Sequence, residues 1–303
     1  MNGISVVTGA FGYTGKYIAQ RLLDQGETVR TLTRNPASFS PFGDRVERFP
    51  LDFDDVEQLT SSLEGAETLY NTYWIRFARG AVTHGTAVRN SRNLVDAAVA
   101  AGIRRIVHVS ITNARADSPL PYFRGKALVE EHIRSSGLSY SIIRPTVIFG
   151  REDILINNIA WFLRRFPIFP IAGRGDYQVQ PVFVDDVARL AVESAIGDGN
   201  LTLDAAGPEV FTFRELLLRI RQVSRGRARL VHLPPPLVFV AARMMGAVLR
   251  DVVLTRDELG GLMAGHLVSQ GPPTGTTRLS EWMREHRDTL GLRYANELTR
   301  HYR

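Results

Sequence analysis

A tyrosine and a lysine stand four residues apart in segment 122–126, and this pair carries the clearest chemistry in the sequence. On a helix, Tyr122 and Lys126 share one face. A tyrosine that donates a proton near neutral pH needs a cation beside it, because its ordinary pKa is about 10 and a nearby positive charge stabilises the phenolate. Among the 37 basic residues only Lys16 and Lys126 are lysines, and a compact ammonium can hydrogen-bond a sugar hydroxyl that a guanidinium would crowd. The spacing indicates an acid/base pair, with an ordinary helical pair as the alternative.

A glycine-rich segment follows the first predicted strand and precedes the first predicted helix. It contains Gly9, Phe11, Gly12, Tyr13 and Gly15. Small residues permit a tight turn and a close approach of a ligand to the backbone, and a helix N-terminus offers amides and positive potential to a pyrophosphate. A turn of this kind can also be mere geometry, but the strand-loop-helix context favours a dinucleotide-binding loop.

The choice of cofactor depends on the end of the second predicted strand, where sites for NAD usually place an acidic side chain. This chain has Thr33 and Arg34 there. A hydroxyl followed by a guanidinium suits a 2′-phosphate and predicts NADP, with NAD as the alternative if Arg34 merely faces solvent. Asp52, with Phe53 beside it after the third predicted strand, is placed to meet the adenine amino group. Asp52 could equally cap the next helix.

Strands alternate with helices along the first half of the chain, which predicts an α/β fold with a Rossmann-type doubly wound parallel sheet. The predicted strands are 4–8, 28–33, 46–51, 68–72, 105–110, 140–144 and 201–205, and the predicted helices of this part are 13–25, 56–63, 82–101 and 122–135. We expect a NAD(P)-binding Rossmann domain over 1–150, to which 182–197 returns. A smaller, mainly helical substrate or cap lobe is expected over 151–303.

Composition narrows the function classes. The 303 residues are 44% hydrophobic and include no cysteine, which excludes disulfides and a cysteine nucleophile. The strand-like run from Ile4 leaves no room for a leader, and the apolar stretch 237–242 is far shorter than a membrane helix, so we expect a cytoplasmic protein without a transmembrane segment. The net charge of +6 is spread along the chain and the seven histidines lack metal-site spacing, so neither a nucleic-acid partner nor a metal is predicted.

The glycine loop and the Tyr122–Lys126 segment form an ordered set with three further motifs, which are His108-Val109-Ser110, Ile143-Arg144-Pro145-Thr146 and Val182-Phe183-Val184-Asp185-Asp186-Val187-Ala188. Together they resemble the short-chain dehydrogenase/reductase superfamily, and the last motif is typical of its extended and atypical branch. The chain is similar to the NmrA-like proteins and to the NADPH-binding accessory subunit of respiratory complex I. The resemblance covers roughly residues 4–205, and the last hundred residues carry no comparable motif.

The resemblance implies roles for individual residues. Tyr122 would be the acid/base, Lys126 would hold the cofactor ribose and lower the tyrosine pKa, and Ser110 would steady the substrate carbonyl oxygen. Asn71, Thr72 and Tyr73 after the fourth strand would border the cofactor. The backbone of Pro145, Thr146 and Val147 after the sixth strand would meet the nicotinamide amide.

One departure from the family concerns the asparagine that it often carries in the helix before the fifth strand. Ala87 stands near that place, while Asn90 and Asn93 follow one and two turns later. A proton relay through an asparagine is therefore left open.

Three functions fit this reading. The first is an NADP(H)-dependent oxidoreductase that moves hydride between nicotinamide and a carbonyl or secondary alcohol of a hydrophobic small molecule, with Tyr73 and Trp74 placed near the ligand. The second is a nucleotide-sugar epimerase or dehydratase with bound NAD. The third is a non-catalytic NADPH-binding sensor or assembly factor that docks through its helical lobe or on a membrane surface, which the apolar, arginine-edged segment 237–250 motivates. The oligomeric state is open.

Overall fold

The protein, seen in a computed structural model, is described over residues 3–35 and 39–301. Its strands are β1 (Ile4–Thr8), β2 (Thr28–Thr33), β3 (Val46–Pro50), β4 (Thr68–Asn71), β5 (Arg105–Val109), β6 (Ser139–Pro145), β7 (Val147–Phe149), β8 (Ile168–Ala172), β9 (Gln178–Val179), β10 (Pro181–Phe183), β11 (Leu201–Ala205), β12 (Phe211–Thr212) and β13 (Arg229–Leu233). Its helices are α1 (Tyr13–Asp24), α2 (Val56–Leu63), α3 (His84–Ala100), α4 (Pro121–Ser135), α5 (Leu155–Arg165), α6 (Val184–Glu193), α7 (Phe213–Ser224), α8 (Pro235–Leu249), α9 (Arg256–Met263), α10 (Leu279–Glu285) and α11 (Glu297–His301).

Seven strands form one sheet in the order β11-β6-β5-β4-β1-β2-β3, and all neighbouring pairs are parallel. The strand order reverses at β1, which lies between β2 and β4, and doubly wound folds bind ligands at the carboxyl ends of the strands beside such a switch point. β5 is buried along its whole length, as expected for a strand covered on both faces. The predicted Rossmann-type α/β sheet is confirmed.

The chain divides into two compact units. The first joins Met1–Pro145 with Val184–Ala205, and the second joins Thr146–Phe183 with Ala206–Arg303. The assignment of 1–150 with 182–197 to nucleotide binding, and of 151–303 to the substrate, stays a prediction.

A buried arginine holds the segment that returns to the first unit. Arg105 on β5 is 1% exposed and donates to the carbonyl oxygens of Ser194 at 2.8 Å and Gly199 at 3.0 Å. On α1, Arg21 forms an ion pair with Asp185 of α6 at 2.7 Å. These contacts attach α6 and the turn before β11 to the rest of the first unit.

Helix α3 of the first unit has clear signals at both ends. The Thr83 side chain accepts a hydrogen bond from the amide of Thr86 at 3.1 Å, so the helix begins at His84, two residues later than predicted. Gly102 follows the helix with a φ of +74°, a left-handed conformation that glycine adopts without steric cost. The predicted glycine stop is therefore found.

In the second unit, helices predominate, but the described part also contains three pairs of short strands that were not predicted: β7 with β10, β8 with β13 and β9 with β12. Its apolar core includes Phe149, Leu163, Leu217 and Trp282. In the described part of the chain, none of the helices is both long enough and apolar enough to cross a membrane.

Candidate functional site

The glycine loop connects β1 to α1 in a conformation that requires two of its glycines. Gly9 has a φ of +66°, and its carbonyl oxygen accepts from the amide of Gly12 at 2.8 Å. A β-carbon on Gly15 would lie 2.3 Å from that same oxygen, closer than any real contact. No side chain caps the start of α1, and its first turn holds no acidic residue. The loop thus fits an anionic ligand that would accept from the first amides of the helix.

Side chains from the neighbouring strands fix the position of this loop. Thr31 accepts from the amide of Ala10 at 3.0 Å and donates to the carbonyl of Val7 at 2.9 Å. The ring of Phe11 has the Arg48 guanidinium 5.6 Å from its centroid. Sequence reasoning missed Arg48, because its only local signal is an exposed place on β3. Arg48 therefore brings a positive charge close to the loop.

Thr33 and Arg34 end β2, as predicted. Thr33 accepts from the amide of Asn35 at 3.2 Å. Burial raises the pKa of Tyr73, while the hydrogen bond from Asn90 and the positive charge of Arg34 act in the opposite direction. The charge of Arg34 therefore acts on a side chain at the end of β4, on the side of the switch point where a nucleotide would lie.

The predicted adenine contact, Asp52, accepts a hydrogen bond from the amide of Asp54 at 3.0 Å. Beside it, Phe53 is buried, and its ring centroid lies 4.4 Å from that of Tyr73. Asn93 donates to the carbonyl of Phe53 at 2.9 Å. The side chain of Asp52 thus organises the loop before α2, whereas Phe53 and Tyr73 form one packed wall.

The end of β4 is tied to the end of β1. The amides of Thr72 and Tyr73 donate to the Thr8 hydroxyl oxygen at 2.8 and 3.2 Å, and the Asn71 side chain accepts from the Tyr73 amide at 3.0 Å. Asn90 on α3 donates to the Tyr73 hydroxyl at 3.0 Å. The two asparagines that follow the family position thus support the wall formed by Phe53 and Tyr73, while Ala87 is buried.

Lys126 lies inside the first unit. Its side chain is 3% exposed, and Nζ donates to the carbonyl oxygen of Val109 at 2.7 Å. The ring of Trp74 lies over the amine, with 4.6 Å between Nζ and the ring centroid. Burial lowers the pKa of Lys126 to about 7, and the weaker attraction of Glu130 opposes this change. The amine is held by one carbonyl and one aromatic face at the carboxyl end of β5.

Tyr122 is the second residue of the same helix, one turn before Lys126, and its ring meets those of Trp74 and His84. Trp74 and His84 contact its ring edge-on, with centroid separations of 6.0 and 5.8 Å, and they stack on each other at 6.2 Å. A β-carbon on Gly125 would lie 3.0 Å from the Trp74 indole, so a glycine at that place lets the indole lie close to α4. Sequence reasoning missed His84, which had no partner at a regular spacing.

Ser110 faces a carboxylate that the sequence analysis did not single out. Its hydroxyl donates to Oε1 of Glu130 at 2.5 Å, and Glu130 has no exposed surface. Arg144 donates to both oxygens of Glu130, at 2.9 and 2.5 Å, and Arg134 pairs with it at 3.0 Å. The Ser110 proton therefore points into this network, and only its lone pairs remain for another partner. Glu130 stands four residues after Lys126, which is the one signal in the sequence that marks it.

Two polar side chains lie buried next to the lysine. Asn71 and His108 face each other across β4 and β5, and neither is exposed. Burial, and then the charge of Lys126, lowers the pKa of His108 well below its ordinary value. The ring is therefore neutral and adds no charge beside the amine.

Along the chain, the segment predicted to meet the nicotinamide runs from the last residue of Met1–Pro145 into Thr146–Phe183. Pro145 ends β6, and its carbonyl accepts from the amide of Thr112 at 3.0 Å. Thr146 and Val147 begin the second unit, where the Val147 amide donates to the carbonyl of Gln180 at 3.5 Å.

Comparison with known proteins agrees with this geometry. Residues 9–154 match the family described as NAD(P)H-binding. This segment is similar to that family. The chain is 27% identical over 289 residues to NADH dehydrogenase [ubiquinone] 1 alpha subcomplex subunit 9, mitochondrial, of Arabidopsis thaliana. The aligned part covers 88% of this chain and 71% of the relative. The predicted resemblance to the NmrA-like proteins and to the NADPH-binding accessory subunit of complex I is confirmed as a similarity.

Two solved structures show the same fold. The NADPH-dependent quinone oxidoreductase of Escherichia coli, complexed with NADPH, has a TM-score of 0.75 and 24% identity and covers 93% of this chain and 99% of its own. The UDP-glucose 4-epimerase of Thermotoga maritima has a TM-score of 0.65 and 17% identity, with coverages of 94% and 97%. The chain therefore has an NAD(P)H-binding fold of the oxidoreductase and epimerase type.

Proposed function

We propose that the protein is an NADP(H)-dependent oxidoreductase that transfers hydride between nicotinamide and a carbonyl or secondary alcohol of a hydrophobic small molecule. The observation that carries this proposal is the buried amine of Lys126, bonded to the Val109 carbonyl at 2.7 Å, one helical turn after Tyr122. Keeping a buried amine protonated costs free energy when no carboxylate is in contact with it. Such an amine suits a role in which the positive charge acts on a bound ligand.

The cofactor supplies the hydride, and the chain supplies binding, orientation and a proton. Gly9, Gly12 and Gly15 would receive the pyrophosphate, and Lys126 would hold the ribose hydroxyls. Tyr122 would give its phenolic proton to the carbonyl oxygen of the substrate as the hydride arrives. Ser110 would act chiefly through its link to Glu130, because its own proton is directed there.

NADP is proposed over NAD because of two cations, one at the end of β2 and one within β3. Arg34 and Arg48 are exposed, and Arg48 lies over the ring of Phe11 in the glycine loop. A 2′-phosphate forms charge-assisted hydrogen bonds with guanidinium groups, whereas the two hydroxyls of NAD would gain little from them. The substrate is proposed to be apolar because Trp74, with His84 stacked on it, meets the edge of Tyr122.

The test is the Tyr122→Phe variant, with Tyr140→Phe as a matched control that removes a hydroxyl from β6. We expect NADPH affinity, measured by fluorescence titration, to stay within about twofold, and kcat on a panel of quinones and ketones to fall by about 10² to 10⁴. The control should keep both values. Equal turnover by the wild type and Tyr122→Phe would remove Tyr122 from the mechanism.

Two other functions each have one observation in their favour. The likeness to the epimerase of Thermotoga maritima favours an epimerase or dehydratase, and protein purified with one NAD per chain would support that reading over ours. The similarity to a complex I subunit favours a non-catalytic NADPH-binding partner, and NADPH binding without turnover on any carbonyl of the panel would support it. The cytoplasmic location stays a prediction.

A further inference from the structure

Helix α8 of the second unit presents an apolar stripe to the outside. Leu237, Val240, Met244 and Val248 are 53%, 51%, 63% and 77% exposed. Their spacing of three and four residues places them along one side of the helix. The opposite side is the one that packs, since Gly246 is buried and a β-carbon on it would lie 2.6 Å from the carbonyl oxygen of Asp251.

Positive charge borders this stripe. Arg243 is exposed on the same helix and, at 100° per residue, projects beside Val240 at one margin of the stripe, and the exposed Arg250 is the residue that follows the helix. The exposed Arg256 of α9 also lies against this helix, with its guanidinium 5.1 Å from the ring centroid of Phe239. Within residues 3–35 and 39–301, none of the three guanidinium groups has an ion-pair partner. An apolar stripe with cations near it that form no ion pair is complementary to an apolar surface that carries negative charge.

We propose that α8 lies in the surface of an anionic lipid bilayer, with its axis parallel to the membrane and the stripe facing the acyl chains. Fifteen residues make a helix of about 22 Å, shorter than the hydrocarbon core of about 30 Å, so the helix would rest in the interface. None of the four side chains of the stripe has a polar atom that would be left without a hydrogen bond in the acyl region. The arginines reach the lipid phosphates, which they bind with several donors each.

The composition of the stripe favours lipid over a protein partner. Protein interfaces gain most of their binding energy from Trp, Tyr and Arg anchors, with Leu and Val under-represented, and the stripe consists of Leu, Val and Met. A second copy of the chain is disfavoured by charge, because a two-fold interface through the stripe would gather the arginines near it from both copies, and the stripe itself has no acidic side chain to pair with them. Membrane binding needs neither the cofactor nor Tyr122, so this inference stands apart from the proposed function.

The test is co-sedimentation of the full chain with vesicles of neutral phosphatidylcholine, and with vesicles that also contain phosphatidylglycerol at about one third of the lipid. We expect binding to the anionic vesicles that weakens as the salt is raised to 0.5 M. The double variant Met244→Glu/Val248→Glu should bind more than about a hundredfold more weakly, since apolar burial is replaced by charge. The variant Ile196→Glu removes an equally exposed apolar residue, 81% exposed in the first unit, and should bind like the wild type.

A second pair of variants tests the charges. Arg243→Gln/Arg256→Gln should weaken binding to anionic vesicles by about thirtyfold, at about 1 kcal/mol for each arginine. Arg45→Gln/Arg92→Gln, which removes two exposed arginines of the first unit, should change it by less than about threefold. The proposal is overturned if the wild type does not bind anionic vesicles, or if Met244→Glu/Val248→Glu and Ile196→Glu bind them equally well. It is also overturned if size-exclusion chromatography shows a dimer of the wild type and a monomer of Met244→Glu/Val248→Glu.

Discussion

The buried lysine makes a pH-dependent contribution to stability that can be isolated by one substitution. The pKa of Lys126 falls from an ordinary 10.5 to about 7 because the amine is buried. Between these values the unfolded chain binds one proton more than the folded chain, so the free energy of unfolding rises with pH in this window. At about 1.4 kcal/mol for each pH unit, the full effect amounts to roughly 5 kcal/mol. This destabilisation is fully present below pH 7.

The assay is urea unfolding of the wild type and of Lys126→Met at intervals from pH 6 to pH 10. The difference between the two free energies of unfolding removes the titrations that both proteins share. We expect this difference to be flat below about pH 7 and then to rise in favour of the wild type by about 1.4 kcal/mol per pH unit. Any constant cost of leaving the Val109 carbonyl without its donor changes the offset and leaves the slope as it is.

Lys16→Met removes the other lysine of the chain and serves as the matched control. The slope belongs to Lys126 only if it is missing in the control. A difference that stays level from pH 7 to pH 10 would mean that the amine is solvated in the folded protein. In that event, the placement of Lys126 beneath Trp74, and with it the basis of the proposed mechanism, would be wrong.

Three further predictions address the network, the loop and the cofactor. Glu130→Gln removes a fully buried charge that two arginines share, and should lower the free energy of unfolding in urea at pH 7 by about 3 kcal/mol; a loss below about 1 kcal/mol would contradict the buried network. Gly15→Ala should weaken NADPH binding at least about tenfold, because the new methyl group meets the carbonyl of Gly9. Gly85→Ala, whose new methyl group would lie at an ordinary 3.6 Å from the Thr83 hydroxyl oxygen, should leave the calorimetric affinity unchanged. Arg34→Glu should lower NADPH affinity by about ten- to a hundredfold and spare NADH, and an equal loss for both cofactors would place Arg34 outside the 2′-phosphate site.

The sheet was predictable from the sequence because its strands are apolar runs of four to seven residues that alternate with helical periods. The strand pairs of the second unit were not predictable. β9 and β12 have two residues each, too few to show a period of two, and β8 and β13 pair only because the chain between them folds back. Strands of this kind are determined by tertiary packing and leave no local pattern.

The candidate site was predictable to the extent that its residues follow strands directly. The glycine loop, Ser110 and Lys126 all lie where the alternation of strands and helices places them. Glu130 was missed, because its importance arises from Arg144, which reaches it from the neighbouring strand. Arg48 was missed for the same reason, since only the pairing of β2 with β3 brings it to the loop. The roles of these residues stay predictions until variants are measured.

The hydrogen bonds of Arg105 to the Ser194 and Gly199 carbonyls affect how the first unit can fold while the chain is being synthesised. Its acceptors at Ser194 and Gly199 are made some ninety residues after the arginine itself, and the outermost strand, β11, follows them. A nascent chain that has emerged only to Pro145 therefore offers this guanidinium the Ser139 and Ser141 hydroxyls but neither carbonyl, and its sheet is unfinished, with β6 as the edge. The first unit can complete its sheet only after residues 146–205 have been translated.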